Sequence, residues 1–192
     1  VYKRQINNNK SSLMTQHEYV FVAVSIILGL AITRLLHTVA MLIRAHKRVR
    51  FHWATAIWGL SVMSYILQLW WVGWGLRDLP QWAFTDFLIL VIGSICIYGA
   101  AEMALPVPDE DRLDMLEHSQ NLGRLSALSM LVYFLIGPYV NLTMYEVGLL
   151  PALLVPLMGI AMMGLIIFVP RWFRQIAVLF AGYSLWILLL TA

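Results

Sequence analysis

The sequence predicts an all-α fold, a polytopic integral membrane bundle of six transmembrane helices, with five as the alternative count. Two observations carry this expectation. Of 192 residues, 61% are hydrophobic and only 12% charged, and the mean hydropathy of +0.78 is far from that of an ordinary soluble protein. Apolar windows of about 20 residues, the helical length that crosses a hydrocarbon core of about 30 Å, recur along most of the chain.

Residues 1–13, VYKRQINNNKSSL, are polar and lack helical periodicity. They are expected to be a non-native or disordered extension ahead of Met14, a genuine polar tail being the alternative. Residues 14–192 then read as one transmembrane domain, with spans at about 19–44, 52–75, 83–105, 122–146, 148–169 and 171–191. The first span ends in the basic run Arg44, Lys47, Arg48 and Arg50, and the second in the aromatic stretch LQLWWVGWGLRD. Pro106 and Pro108 stop the third, because proline lacks the N–H that continues a helix. Only Gly148 with Pro151, and Pro170 with Arg171, divide the last three spans, so these must form tight antiparallel hairpins. Pro138 after Gly137, and Pro156 near Gly159, are placed to kink the fourth and fifth spans and free backbone carbonyls.

Lys and Arg concentrate in the first, third and fifth connections, while the second and fourth offer only Arg77. By the positive-inside rule the odd-numbered connections are cytoplasmic and both termini lie outside; Lys3, Arg4 and Lys10 oppose this. The net charge of +3 therefore reflects membrane topology rather than nucleic-acid binding. Trp70, Trp71, Trp74 and Trp82 around the second connection, with Trp53 and Trp172 at the inner ends, fit interfacial aromatic belts. Cys96, the only cysteine, lies in an apolar run as a small packing residue and excludes an intrachain disulfide.

The polar connection PVPDEDRLDMLEHSQNLGR, 106–124, places Asp109, Glu110 and Asp111 in the first turn of an expected short helix, where carboxylates favour the helix dipole. Asp111, Asp114 and His118 fall on one face, but three ligands on an exposed helix do not close a metal site, and a solvated or docking face is expected instead.

The distinctive polar groups lie inside the spans. Ser25, Gly29 and Thr33 follow one another at four-residue spacing, His37 extends the row and Arg34 lies on its edge. Small residues in such a row admit a neighbouring backbone, so the stripe is expected to face the bundle. An arginine at the centre of a span costs about 2.5–3.5 kcal/mol on insertion scales and so calls for a partner. At 1.5 Å per residue, Arg34 lies about 15 Å, His37 about 10 Å and Glu102 about 5 Å from the basic ends of their helices. If the first and third spans are neighbours, Arg34, His37 and Glu102 form a candidate intramembrane site, and Asp86 is too far along the membrane normal to join it. Thr33, Gln68, Tyr133 and Tyr183 are candidate lining residues of a polar pocket, with Ser94 and Asn141 as further buried polar groups.

These groups admit two functions. A non-catalytic membrane subunit or scaffold would use the cluster to hold helices together; a small transporter or channel would use it to bind an anion or relay protons. Enzymatic chemistry finds no support, for the chain has no Gly-x-Ser-x-Gly, His-Glu-x-x-His or phosphate-loop motif. Haem ligation across helices is poorly supported with only His37 inside a span, and no cofactor is expected. The expected partners are the bilayer and either a protein subunit or further copies of this chain.

The segment EYVFVAVSIILGLAITRLLHTVAMLIRAHKRVRFHWATAIWGL, followed by LQLWWVGWGLRD, resembles a group of short bacterial multi-span membrane proteins of unknown function. They share an ILGLGIT-like first helix, a basic turn and a Trp-rich second helix. The resemblance covers about the first third of the chain, and Ala31 stands where the group has a second glycine. It implies a bacterial inner-membrane location and carries over no site residues.

Overall fold

The structure is a computed structural model that describes residues 14–79, 81–108, 112–145 and 148–191. Among the described residues there are seven helices. These are α1 (Gln16–Arg44), α2 (Trp53–Gly75), α3 (Phe84–Ala104), α4 (Met115–Asn121), α5 (Gly123–Tyr139), α6 (Leu149–Phe168) and α7 (Phe173–Thr191). Every one except the seven-residue α4 belongs to a segment long and apolar enough to cross a bilayer, so the chain is a multi-pass membrane protein. The expected extension at residues 1–13 and the acids Asp109, Glu110 and Asp111 lie outside the described residues.

Local chemistry sets the helix ends. Thr15 caps α1 by accepting from the Glu18 backbone at 3.2 Å, while Glu18 returns the bond to the Thr15 N–H at 2.7 Å. At α3 the Asp86 carboxylate accepts from the Ala83 N–H at 2.9 Å and from the Tyr139 hydroxyl at 2.9 Å, which ties the start of α3 to the end of α5. The short helix begins later than an acidic first turn at 109–111 would place it. Residues 113–114 are extended, and Asp114 caps α4 by accepting from the N–H groups of Leu116 (2.9 Å) and Glu117 (3.3 Å).

The long helices close a ring in the order α1, α2, α7, α6, α5, α3, and α2 also packs on α3 across it. All chain connections at one end of this ring are rich in Lys and Arg, and this basic end is stitched together. Val49–Arg50 (β1) pairs in parallel with Leu113–Asp114 (β2), and Arg50 reaches Asp114 at 3.4 Å. At the far end, Trp71 and Trp74 remain 60% and 53% exposed, as side chains at a membrane interface are, and the Arg77 guanidinium lies 5.1 Å from the Trp74 ring centre.

Proline shapes the far half of α5 and α6. Beyond Pro138, α5 continues as a wide π-helical turn over Val140–Met144. In α6, Pro156 has no N–H to offer the Ala152 carbonyl, and the Asn141 side chain approaches that oxygen at 3.5 Å. The two helices touch where a side chain is missing: a Cβ on Gly159 would sit 2.7 Å from the Phe134 ring.

Candidate functional site

Arg34 and Glu102 meet. The Arg34 Nη2 lies 2.7 Å from Glu102 Oε1 across the contact between α1 and α3, a short charge-assisted bond. The bond brings together two groups whose backbone depths, counted along their helices, differ, as long side chains allow. Nε of Arg34 is buried without a hydrogen-bond partner, and the two side chains keep 29% and 39% of their surface accessible on the outside of the bundle. His37 is exposed one turn further along α1 and forms no hydrogen bond or ion pair among the described residues, so the candidate triad reduces to a pair.

The expected orientation of the stripe is corrected. The face of α1 that packs inward is Val20, Val24, Leu28, Ala31, Leu35 and Thr38. Gly29 has open space where a Cβ would be, and Thr33 points outward with its hydroxyl donating to the Gly29 carbonyl at 2.8 Å. Large apolar side chains at the alternating three- and four-residue spacing bury more surface against α2 and α3 than the small stripe would, and they take the inner face. Thr33 therefore does not face the interior of the bundle.

Inside the ring, α2 is bonded across the bundle in two layers. Nearest the basic end, the hydroxyls of Thr55 and Ser119 lie 2.7 Å apart and each is 3.0 Å from the Met115 carbonyl, which docks α4 on α2. One turn deeper, the Trp58 indole donates to Ser126 Oγ at 3.0 Å, and Ser126 donates to the Ala100 carbonyl at 2.8 Å, linking α2, α5 and α3. Sequence reasoning did not single out Thr55, Trp58, Ser119 or Ser126. The available signal was Trp58, a tryptophan well inside a span where an interfacial belt does not reach.

Above these layers an aromatic cluster fills the centre. Tyr65 stacks on Phe180 (ring centres 5.4 Å apart) and meets Phe134 edge-on at 5.2 Å and Tyr133 at 6.0 Å. Beyond it, toward the far end, a cavity of about 520 Å³ opens between α2, α3, α5, α6 and α7. Gln68, Tyr133 and Tyr183 line it, together with Tyr65, Asn141 and Tyr145. The Tyr183 and Tyr145 hydroxyls donate to the carbonyls of Val155 and Val72, each at 2.6 Å. The Tyr65 hydroxyl is buried with no hydrogen-bond partner, and Tyr65 as a whole is only 2% exposed. Arg34, His37 and Glu102 do not reach this cavity.

At the basic end, Asp114 is committed to capping α4 and pairing with Arg50, and His118 is half-buried against the bundle with its Nε2 unpartnered. Burial holds the His118 imidazole below its ordinary pKa, with the nearby Met103 backbone opposing. Asp114 and His118 belong to no cluster of metal-binding side chains among the described residues, and Asp111 lies outside them. No family model, curated protein or solved structure matches the chain.

Proposed function

We propose that the chain is a non-catalytic subunit or scaffold of the bacterial inner membrane that self-associates through α1, with the basic end in the cytoplasm and both termini outside. One observation carries this reading: between exposed apolar side chains such as Ile26, Leu30 and Leu36, the outward surface of α1 carries a strip that is small and polar. Gly29 and Thr33 present almost no side-chain bulk, His37 projects outward, and the Arg34–Glu102 pair is left partly open beside them. Polar groups within a span face protein rather than lipid, and a small-residue row admits a second helix backbone. A two-fold axis along the membrane normal would bring this face against itself, so that each Thr33 meets the Thr33 of a second copy.

The alternative, a transporter that binds an anion or relays protons on Arg34, His37 and Glu102, has less support. The arginine charge is already matched by Glu102, and the pair lies on the periphery, away from the central cavity.

The test is disulfide trapping in native membranes, in a Cys96→Ser background. Thr33→Cys is expected to give a covalent species of twice the chain mass, and Leu185→Cys, on the exposed face of α7, none. Absence of the Thr33→Cys species, or equal trapping at both positions, would overturn self-association through α1.

A further inference from the structure

The far-half cavity has the properties of a binding site, and its chemistry narrows the ligand. At about 520 Å³ it falls within the range of small-molecule sites. Its walls are aromatic and aliphatic, and no Asp, Glu, Lys, Arg or His lines it among the described residues. A charged ligand would lie there without a counter-ion, which excludes ions and organic acids.

The polar groups that remain are tyrosine hydroxyls and the Gln68 and Asn141 amides, and the tyrosines differ in whether their protons are committed. Tyr183 and Tyr145 spend their protons on backbone carbonyls. Tyr65, buried on α2, lies beside Tyr183 and Ser184 but its phenolic O–H makes no well-formed hydrogen bond, and a buried donor left unmade carries a penalty that an arriving acceptor removes. Tyr133 presents its ring from α5 at 6.0 Å from the Tyr65 ring and forms no hydrogen bond among the described residues. Gln68 lies one turn beyond Tyr65 on the same helix and adds an amide. Phe134 and Tyr183 supply further flat faces to the same wall.

The local backbone is unusual at this point. The π-helical turn of α5 contributes Val140 and Asn141 to the lining, and Pro151 and Pro156 of α6 face it. Turns of this type concentrate at functional sites because they displace side chains that a regular helix would pack away.

We propose that this cavity binds a neutral, lipid-soluble molecule with a flat ring and a carbonyl oxygen, the chemistry of a quinone, with the carbonyl accepting from Tyr65 and the ring held among Tyr133, Phe134 and Tyr183. The site lies inside the ring of helices and is independent of any contact through α1.

Duroquinone and durene test it directly. They share a flat, tetramethylated six-membered ring, with two carbonyls in duroquinone where durene has two aromatic C–H groups, and full substitution keeps the quinone from adding to Cys96. Binding to the full chain in nanodiscs is read by tryptophan quenching for duroquinone and by calorimetry for both. Duroquinone is expected to bind saturably with one molecule per chain, and more tightly than durene. Tyr65→Phe, which removes one oxygen and keeps the ring, is expected to weaken duroquinone about 5-fold, the value of one neutral hydrogen bond of about 1 kcal/mol, and to leave durene unchanged. Tyr133→Phe gives a second reading if Tyr65→Phe does not fold. Non-saturable duroquinone binding, equal affinity for the two probes, or a quinone affinity indifferent to both substitutions would overturn the proposal.

Discussion

Glu102→Ala is the sharpest perturbation of the α1–α3 contact, because it leaves a guanidinium in the membrane whose Nε already lacks a partner. The Arg34–Glu102 bond is 2.7 Å long and joins two segments long and apolar enough to cross a bilayer, with 29% and 39% of the two side chains accessible. Loss of the carboxylate therefore exposes most of the insertion cost of an arginine, about 2.5–3.5 kcal/mol, reduced by whatever snorkelling the freed side chain achieves. An expected loss of about 2–3 kcal/mol follows for Glu102→Ala, and a similar one for Arg34→Ala, which strands the carboxylate instead. The double variant Arg34→Leu/Glu102→Leu removes both charges and is expected to cost less than about 1 kcal/mol, since a well-packed apolar pair replaces an ion pair at little cost. The assay is reversible unfolding in mixed micelles, followed by circular dichroism, for the wild type, both singles and the double. Single losses below about 0.5 kcal/mol, or losses that simply add in the double, would refute a coupled ion pair.

Two further outcomes are expected at the basic end. Ser126→Ala strands the Trp58 indole N–H and the extra bond to the Ala100 carbonyl, so it should cost about 1–2 kcal/mol in the same assay. Ser64→Ala, which loses only a local bond to the Leu60 carbonyl, should cost a few tenths; equal effects would show that the bridge across three helices adds nothing. His118 titrates below its ordinary value when folded, so the unfolded chain binds more protons as pH falls past about 6.5, and folding stability drops with it. Hydrogen exchange in α4 should accelerate from pH 7 to pH 5.5, after correction for intrinsic rates, and His118→Gln should abolish the excess; unchanged protection in the wild type would contradict this burial.

The axial organisation of the fold was legible, and its arrangement in the membrane plane was not. Span lengths follow from bilayer thickness, and their ends follow from proline, glycine and charge, all of which a single sequence displays. Which face of a helix turns inward is another matter, because lipid and protein core are equally apolar and periodicity fades. α1 shows the consequence: the small row at Ser25, Gly29 and Thr33 pointed to a packed face, while the larger residues from Val20 to Leu35 took that position. Polar residues were better guides where neighbouring helices carried them within side-chain reach of one another, as Arg34 and Glu102 do, and where several line one space, as Gln68, Tyr133 and Tyr183 do. Tyr65 was within reach of the same reasoning, one turn before Gln68, but an isolated tyrosine in a span does not announce that its hydroxyl will be left unpaired. Thr55, Ser119 and Ser126 could not be found this way, since small hydroxyls usually satisfy themselves on their own helix, as Ser61, Ser94 and Ser184 do here.

The distribution of bonds makes the bundle unequal along the membrane normal. From Thr55 to Trp58 every layer is crossed by hydrogen bonds between helices, and the connections outside are joined by the β1–β2 pair and by the docked α4. From Gln68 onward the centre is open, α5 is widened by its π-helical turn, and α6 carries a proline facing that turn. Local opening follows low contact density and disrupted backbone bonding, so the segments that yield first are the far halves of α5 and α6. Those segments wall the cavity, whereas the ion pair and the polar layers lie outside it. The groups that fix the bundle and the groups free to meet a ligand are therefore different residues in different halves of the molecule. Substitution at Arg34 or Glu102 accordingly reports on folding, and substitution on the cavity wall, as at Tyr65, reports on the proposed binding.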